Sequence, residues 1–212
     1  MLYECWRKIS VERRDVIALR DFTSGQCWTF GELFLAGEKQ KTDATDMAFP
    51  QGHSTGFVFD LLAAWRENKM VCPLETGQSP PGISAPPKNC VHLKSTSATG
   101  GIARFVAFTE DQLMADPENI VTTMGLRADW PNLGVISLAH SYGFSNLVLP
   151  LLLHGIPLIL APAPLPEIIR RAAETEQLGW CIWDWSANFR YWDKKTSAPM
   201  PGMHAALFGK LN

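Results

Sequence analysis

Residues 96–104 read TSATGGIAR, a run of small hydroxyl and glycine residues closed by an arginine. Side chains this small let successive backbone N–H groups turn toward one point, and a nest of that kind binds an anion. The hydroxyls of Thr96, Ser97 and Thr99 and the guanidinium of Arg104 add donors, while Gly100 and Gly101 put little steric bar in the way of the turn. The composition suits a triphosphate, and taken alone it also describes a plain turn. It is not a Walker loop, because GxxxxGK[ST] does not occur and the segment that follows reads as a strand rather than a helix.

Gly52, His53, Ser54, Thr55 and Gly56 match GxSxG, the strand-to-helix turn that presents a nucleophilic serine in α/β hydrolases. That turn requires a buried strand before it, and TDATDMAFPQ is polar and carries Pro50 near its end. Ser54 also comes early, leaving little chain for the preceding strands and an oxyanion loop. Asp129 or Asp184 with His204 could complete a triad, but many such choices exist. A glycine-rich cap ahead of a helix is the reading favoured for Ser54. His92 falls in a predicted strand beside 96–104, His154 ends a predicted helix where a positive charge suits the dipole, and neither forms a metal-ligand pair. Trp180, Trp183, Trp185 and Trp192 offer large contact area for a pocket or a partner, and core packing is the simpler expectation.

The elements that must position these groups follow from the apolar spacing. A polar opening helix spans about 3–14, then DVIALRDF, a Ser24-Gly25 turn and a short strand ending at Trp28 make a hairpin. Thr29 with Glu32 is a capping box opening a helix to about Lys39, and a further helix over about 55–68 buries Val58, Leu61, Leu62 and Trp65 before the strand KMVCPL. The 15 residues 75–89 hold four prolines and two glycines, which marks a connector and a boundary between subdomains 1–80 and 81–212. Beyond it come a strand at 90–94, the loop 96–104, the strand ARFVAF, and a helix to about Met124 opened by the capping box of Thr109 and Gln112. A strand at 134–138, the turn AHSYG, a helix at 144–154 and a strand at 156–160 complete the regular part. A helix starting at Pro166 and the strand WCIWDW follow. Strands alternating with helices predict an α/β fold on a mostly parallel sheet flanked by helices, with 90–94, 134–138 and 156–160 adjacent in its core.

The composition sets the outer limits. The chain has 212 residues, 46% hydrophobic and 19% charged, enough to bury a core without metals or disulfides. Nineteen basic against 21 acidic side chains give a net charge of −2, which rules out binding to nucleic acid driven by bulk charge. Cys5, Cys27, Cys72, Cys90 and Cys181 are odd in number and never form CxxC, which suits a reducing cytoplasm. The N-terminus lacks a signal-peptide run, and the most apolar stretch, 144–160, is broken by Pro150, His154, Gly155 and Pro157, so no membrane span is expected.

TSATGGIARFVAFTEDQL resembles the phosphate-binding signature of the adenylate-forming superfamily, whose pattern runs approximately TSG[ST]TGxPKGV, then a strand, a Thr and a helix. Thr96, Ser97, Thr99, Gly101 and Val106 agree with it. Ala98 stands for Gly, Gly100 for Thr, Ala103 for Pro, Arg104 for Lys and Phe105 for Gly. Three further segments match in the same order. CWTFGELF is similar to the "TYxEL" element, and LLAAWRENKMVCPLE to "LLAxxxAGxxxxPLD", with Asn68 at the usual Gly. SLAHSYGFSNLVLPLLLHGIPLIL is similar to "PLFHxxGLxxxLLxPLLxGAxVVL", in the His form found in acyl-CoA and aryl-CoA synthetases and luciferases.

The resemblance implies the N-terminal part of an ATP-dependent acyl- or aryl-adenylating enzyme, with ATP and Mg2+ as cofactors. Its partners would be a small carboxylic acid and a thiol acceptor such as coenzyme A or a carrier protein. Thr96, Ser97, Thr99, Gly100, Gly101 and Arg104 would hold the β- and γ-phosphates, and His140, Tyr142 and Gly143 would border the acyl pocket. In the family a "YGxTE" segment with a magnesium-binding Glu, a ribose-binding Asp and a domain bearing a catalytic Lys lie further on. MHAALFGKLN resembles the strand before that segment, so the implied chain is half of a large domain. The alternatives are a non-catalytic reduced module of this fold that binds a ligand or partner, and, behind it, the hydrolase using Ser54.

Overall fold

The computed structural model describes residues 1–83, 87–95, 104–162 and 165–175, together with 192–193, 195–196, 198–200, 202 and 205. It divides into two units, Met1–Leu160 and Ala161–Asn212. In the first, helix α1 (Leu2–Glu12) buries Leu2, Trp6 and Ser10, which recur every fourth residue and so share one face. Strands β1 (Ile17–Asp21) and β2 (Cys27–Thr29) form the expected antiparallel hairpin. Its turn is held by Asp21 Oδ1, which accepts from the amides of Thr23 and Ser24 at 2.8 and 3.2 Å.

Thr29 then caps helix α2 (Phe30–Lys39), and both hydrogen bonds of the predicted capping box are present. After the short strand β3 (Met47–Ala48), helix α3 (Thr55–Arg66) packs against α2 at Gly37, where a Cβ would stand 3.0 Å from that of Leu62. Arg66 donates to the carbonyls of Gly37, Glu38 and Gln40 at 2.6, 2.8 and 2.9 Å, closing the end of α2. Strand β4 (Met70–Val71) follows Asn68, which adopts a left-handed conformation with φ 55°.

Strands β5 (His92–Ser95) and β6 (Phe105–Phe108) pair antiparallel, and the second predicted capping box opens α4 (Glu110–Met124). Next come β7 (Asn132–Gly134), the short helix α5 (Ser141–Gly143), a π-helical turn (Phe144–Val148), α6 (Leu149–His154) and β8 (Leu158–Leu160). Two four-stranded mixed sheets result, in the orders β2-β1-β8-β7 and β3-β4-β5-β6. Four of the pairings among the described residues are parallel: β1 with β8, β7 with β8, β3 with β4, and β4 with β5. Helix α2 packs on β1 and β2, α3 packs on β3 and β4, and α2 packs on α3, so the helices join the two sheets through one core.

The α/β architecture is as expected, with three differences in detail. The strands at 134–138 and 156–160 do pair, but the first lies at Asn132–Gly134, because Asn132 N–H bonds to the Pro157 carbonyl at 2.7 Å and 135–139 turn away. The strand at 90–94 belongs to the other sheet. The 80/81 boundary falls inside the first unit, since β4 pairs with β5 across the connector and the Val71 amide bonds to the Val91 carbonyl at 3.0 Å. In the second unit, α7 (Pro166–Thr175) begins at the predicted proline, and β9 (Trp192–Asp193) pairs antiparallel with β10 (Ala198–Pro199). The strand expected at WCIWDW lies outside the described residues, as do Asp184 and His204.

Candidate functional site

The loop that matches the phosphate-binding pattern is bracketed by β5 and β6. Ser95 pairs with Phe105 and Lys94 with Val106 in an antiparallel ladder. Arg104 is exposed at the head of β6, whereas Thr96, Ser97, Thr99, Gly100 and Gly101 lie outside the described residues.

His140, Tyr142 and Gly143 come together in one turn built from the sequence outward. Ser137 Oγ accepts from the Ala139 amide at 3.3 Å, and the Ser137 carbonyl accepts from the His140 amide at 3.2 Å. His140 is then the N-cap of α5, with Nδ1 accepting from the Tyr142 amide at 3.2 Å. In the neutral ring this places the hydrogen on Nε2. The ring is exposed and Tyr142 is 53% exposed, while Gly143 is buried. A Cβ on Gly143 would stand 2.1 Å from the Ser137 carbonyl oxygen, so this turn requires glycine.

Behind the turn the chain runs on through the π-helical turn, in which the Leu149 amide bonds to the Phe144 carbonyl. Such single wide turns are frequent at functional sites. The irregularity is tied to Pro150, which has no N–H to offer the Asn146 carbonyl. Asn132 Nδ2 meets that carbonyl instead at 3.4 Å, and Asn146 Nδ2 donates to the Tyr142 carbonyl at 3.0 Å. Asn132 and Asn146 therefore brace the turn against β7. Sequence reasoning missed both, and the one available signal was Pro150, nearly three helical turns after His140.

His92 on β5 is fully buried, stacked on Phe144 with ring centroids 4.2 Å apart and edge-on to Phe108 at 6.1 Å. Burial, helped by the nearby Lys94 charge, pushes its pKa down to about 3, so the ring is a neutral core group. His154 ends α6 with Nε2 3.8 Å from Glu118. Ser54 is the N-cap of α3, its Oγ accepting from the Phe57 amide at 3.4 Å, with φ −152° and ψ 165°. That extended, unstrained backbone lacks the sharp bend of a nucleophile elbow. Among the described residues no group of three or more His, Cys, Asp or Glu side chains is placed to hold a metal ion. No described helix is long and apolar enough to cross a membrane.

No protein-family profile matches the sequence, and no curated protein does. Solved structures do match. o-Succinylbenzoate CoA synthetase (MenE) from Bacillus subtilis, in complex with the acyl-adenylate OSB-AMP, aligns with a TM-score of 0.67 over 82% of this chain and 60% of its own, at 14% identity. The fold is that of the N-terminal large domain of adenylate-forming enzymes. The N-terminal domain of FACL13 from Mycobacterium tuberculosis aligns with a TM-score of 0.68 over 84% of this chain and 61% of its own, at 10% identity. ATP-bound MatB from Rhodopseudomonas palustris aligns at 0.65 over 83% and 48%, at 12% identity. The chain thus has the adenylate-forming fold and spans about 60% of the length of the first of these relatives.

Proposed function

We propose that this chain carries the ATP-phosphate and acyl-pocket side of an ATP-dependent acyl- or aryl-adenylating site. The observation that supports the reading is the likeness in fold to these synthetases, taken with the sequence resemblance of residues 96–104 and of the His140 turn. In such a reaction a substrate carboxylate oxygen attacks the α-phosphorus of ATP and the bond to the β-phosphate oxygen breaks, giving acyl-adenylate and pyrophosphate. A thiol, such as that of coenzyme A or a carrier protein, then displaces AMP to form the thioester. Positioning and neutralisation of phosphate charge dominate chemistry of this kind.

In this reading Thr96, Ser97, Thr99, Gly100, Gly101 and Arg104 hold the β- and γ-phosphates. His140, Tyr142 and Gly143 border the acyl group, with His140 Nε2–H as an outward donor. The four described cysteines are free thiols, which suits the cytoplasm we assign to the protein. Acid-dependent exchange of labelled pyrophosphate into ATP tests whether the chain's own residues suffice for adenylation. The chain alone is expected to give no exchange above background, and robust exchange would show that its own residues suffice for adenylation.

A further inference from the structure

Lys94 lies on β5 two residues before Thr96, in a stretch whose apolar neighbours Val91 and Leu93 face the core. Its side chain is only 12% exposed, and the ammonium lies over the rings of Phe108 and Phe144 at 4.8 and 5.7 Å. Nζ donates to Ser145 Oγ at 2.7 Å, and Ser145 Oγ donates in turn to Asp116 Oδ2 at 2.5 Å. Asp116 Oδ2 is itself 3.8 Å from Nζ. An ammonium can only donate and a carboxylate can only accept, so the hydroxyl between them has one orientation available. The three residues come from β5, α4 and the π-helical turn.

We propose that Lys94, Ser145 and Asp116 form a positioning relay that locks the π-helical turn, and with it His140, Tyr142 and Gly143, to the strand leading into the 96–104 loop. The functional importance of that registration rests on the adenylating reading above; the relay itself does not. Three features support it. The relay contacts the irregular turn at its first free side chain after Phe144, where the wide Phe144–Leu149 hydrogen bond leaves the backbone with more freedom than an α-helix. Charge balance is complete within it, one cation to one anion. A partly buried ion network also contributes little net stability relative to apolar side chains of the same size, and in some proteins such a network fixes one geometry. Bulk stability therefore gives a poor account of why a lysine occupies this position. Directional hydrogen bonds across three elements give a better one.

The relay predicts a local effect. Amide hydrogen exchange, followed by NMR on the full 212-residue chain at pH 7, compares Ser145→Ala, Lys94→Met and the double variant with the parent. Exchange at Tyr142, Phe144 and Leu149 is expected to accelerate by at least tenfold more than exchange at Leu19 in β1 and Leu62 in α3. The double variant is expected to be no faster at the turn than the faster single variant, because the two groups act as one unit. A smaller local excess, an equal rise at Leu19 and Leu62, or additive effects would overturn the proposal. If Lys94→Met does not fold, Ser145→Ala alone decides on the local excess. No nucleotide or acid enters the measurement, so its outcome is separate from that of the adenylation assay.

Discussion

Gly143 has no room for a side chain, because the Ser137 carbonyl oxygen occupies the place where a Cβ would be. Gly143→Ala must push α5 away from the Ser137 carbonyl, and overpacking of this kind costs about 1–3 kcal/mol. Urea unfolding should show that loss, together with displaced amide signals at His140 and Tyr142. His92 yields a prediction with a definite sign. Its folded pKa of about 3 lies below the ordinary 6.5, so between these values the unfolded chain binds a proton that the native core refuses. Stability from this group is complete above about pH 6.5 and falls as the pH drops toward 3, at up to about 1.4 kcal/mol per pH unit. Other groups also take up protons on acidification, so the comparison is with His92→Leu, whose unfolding free energy should fall less steeply between pH 7 and pH 4. At this scale the sequence was only partly legible. His92 could be placed in a strand, but nothing in VHLK shows that Lys94 turns inward to Ser145, 51 residues later in the chain.

The helix starts were the most legible elements, because a capping box is local chemistry. Thr29 with Glu32 and Thr109 with Gln112 make the bonds their spacing implies. Thr29→Ala removes the acceptor for the Glu32 amide and should lower stability by about 1 kcal/mol, read as a shift in the urea midpoint at constant slope. Asn68, standing where the resemblance expects glycine, takes the left-handed conformation that glycine would take. The extent of β7 was not legible: its apolar run continues to Leu138, yet the ladder with β8 stops at Gly134. Hydrogen bonds at the Ser137 carbonyl take the chain out of the sheet, and side-chain hydropathy does not report them. The predicted helix at 144–154 exists, but the consequence of Pro150 for its first turn emerges only when the Asn146 carbonyl is followed to Asn132.

For the whole molecule, alternating strands and helices gave the α/β class, while the division into two sheets depends on contacts between distant segments. Short apolar strands carry no label for their neighbours, so β5 was expected beside β7 and β8 and instead pairs with β4 and β6. The connector of prolines and glycines at 75–89 resembled a boundary, yet the strands on either side of it share a sheet. In the proposed function, residues 96–104 and the His140 turn form two sides of one nucleotide and acyl site. An ATP titration of the 15N-labelled chain tests this. Shifts are expected at Ser95, at Arg104–Phe108 and in the His140–Phe144 turn, weak in affinity, reduced by added salt and weakened in Arg104→Ala. Saturating ATP that leaves those residues unperturbed, or perturbs a surface elsewhere, would contradict it.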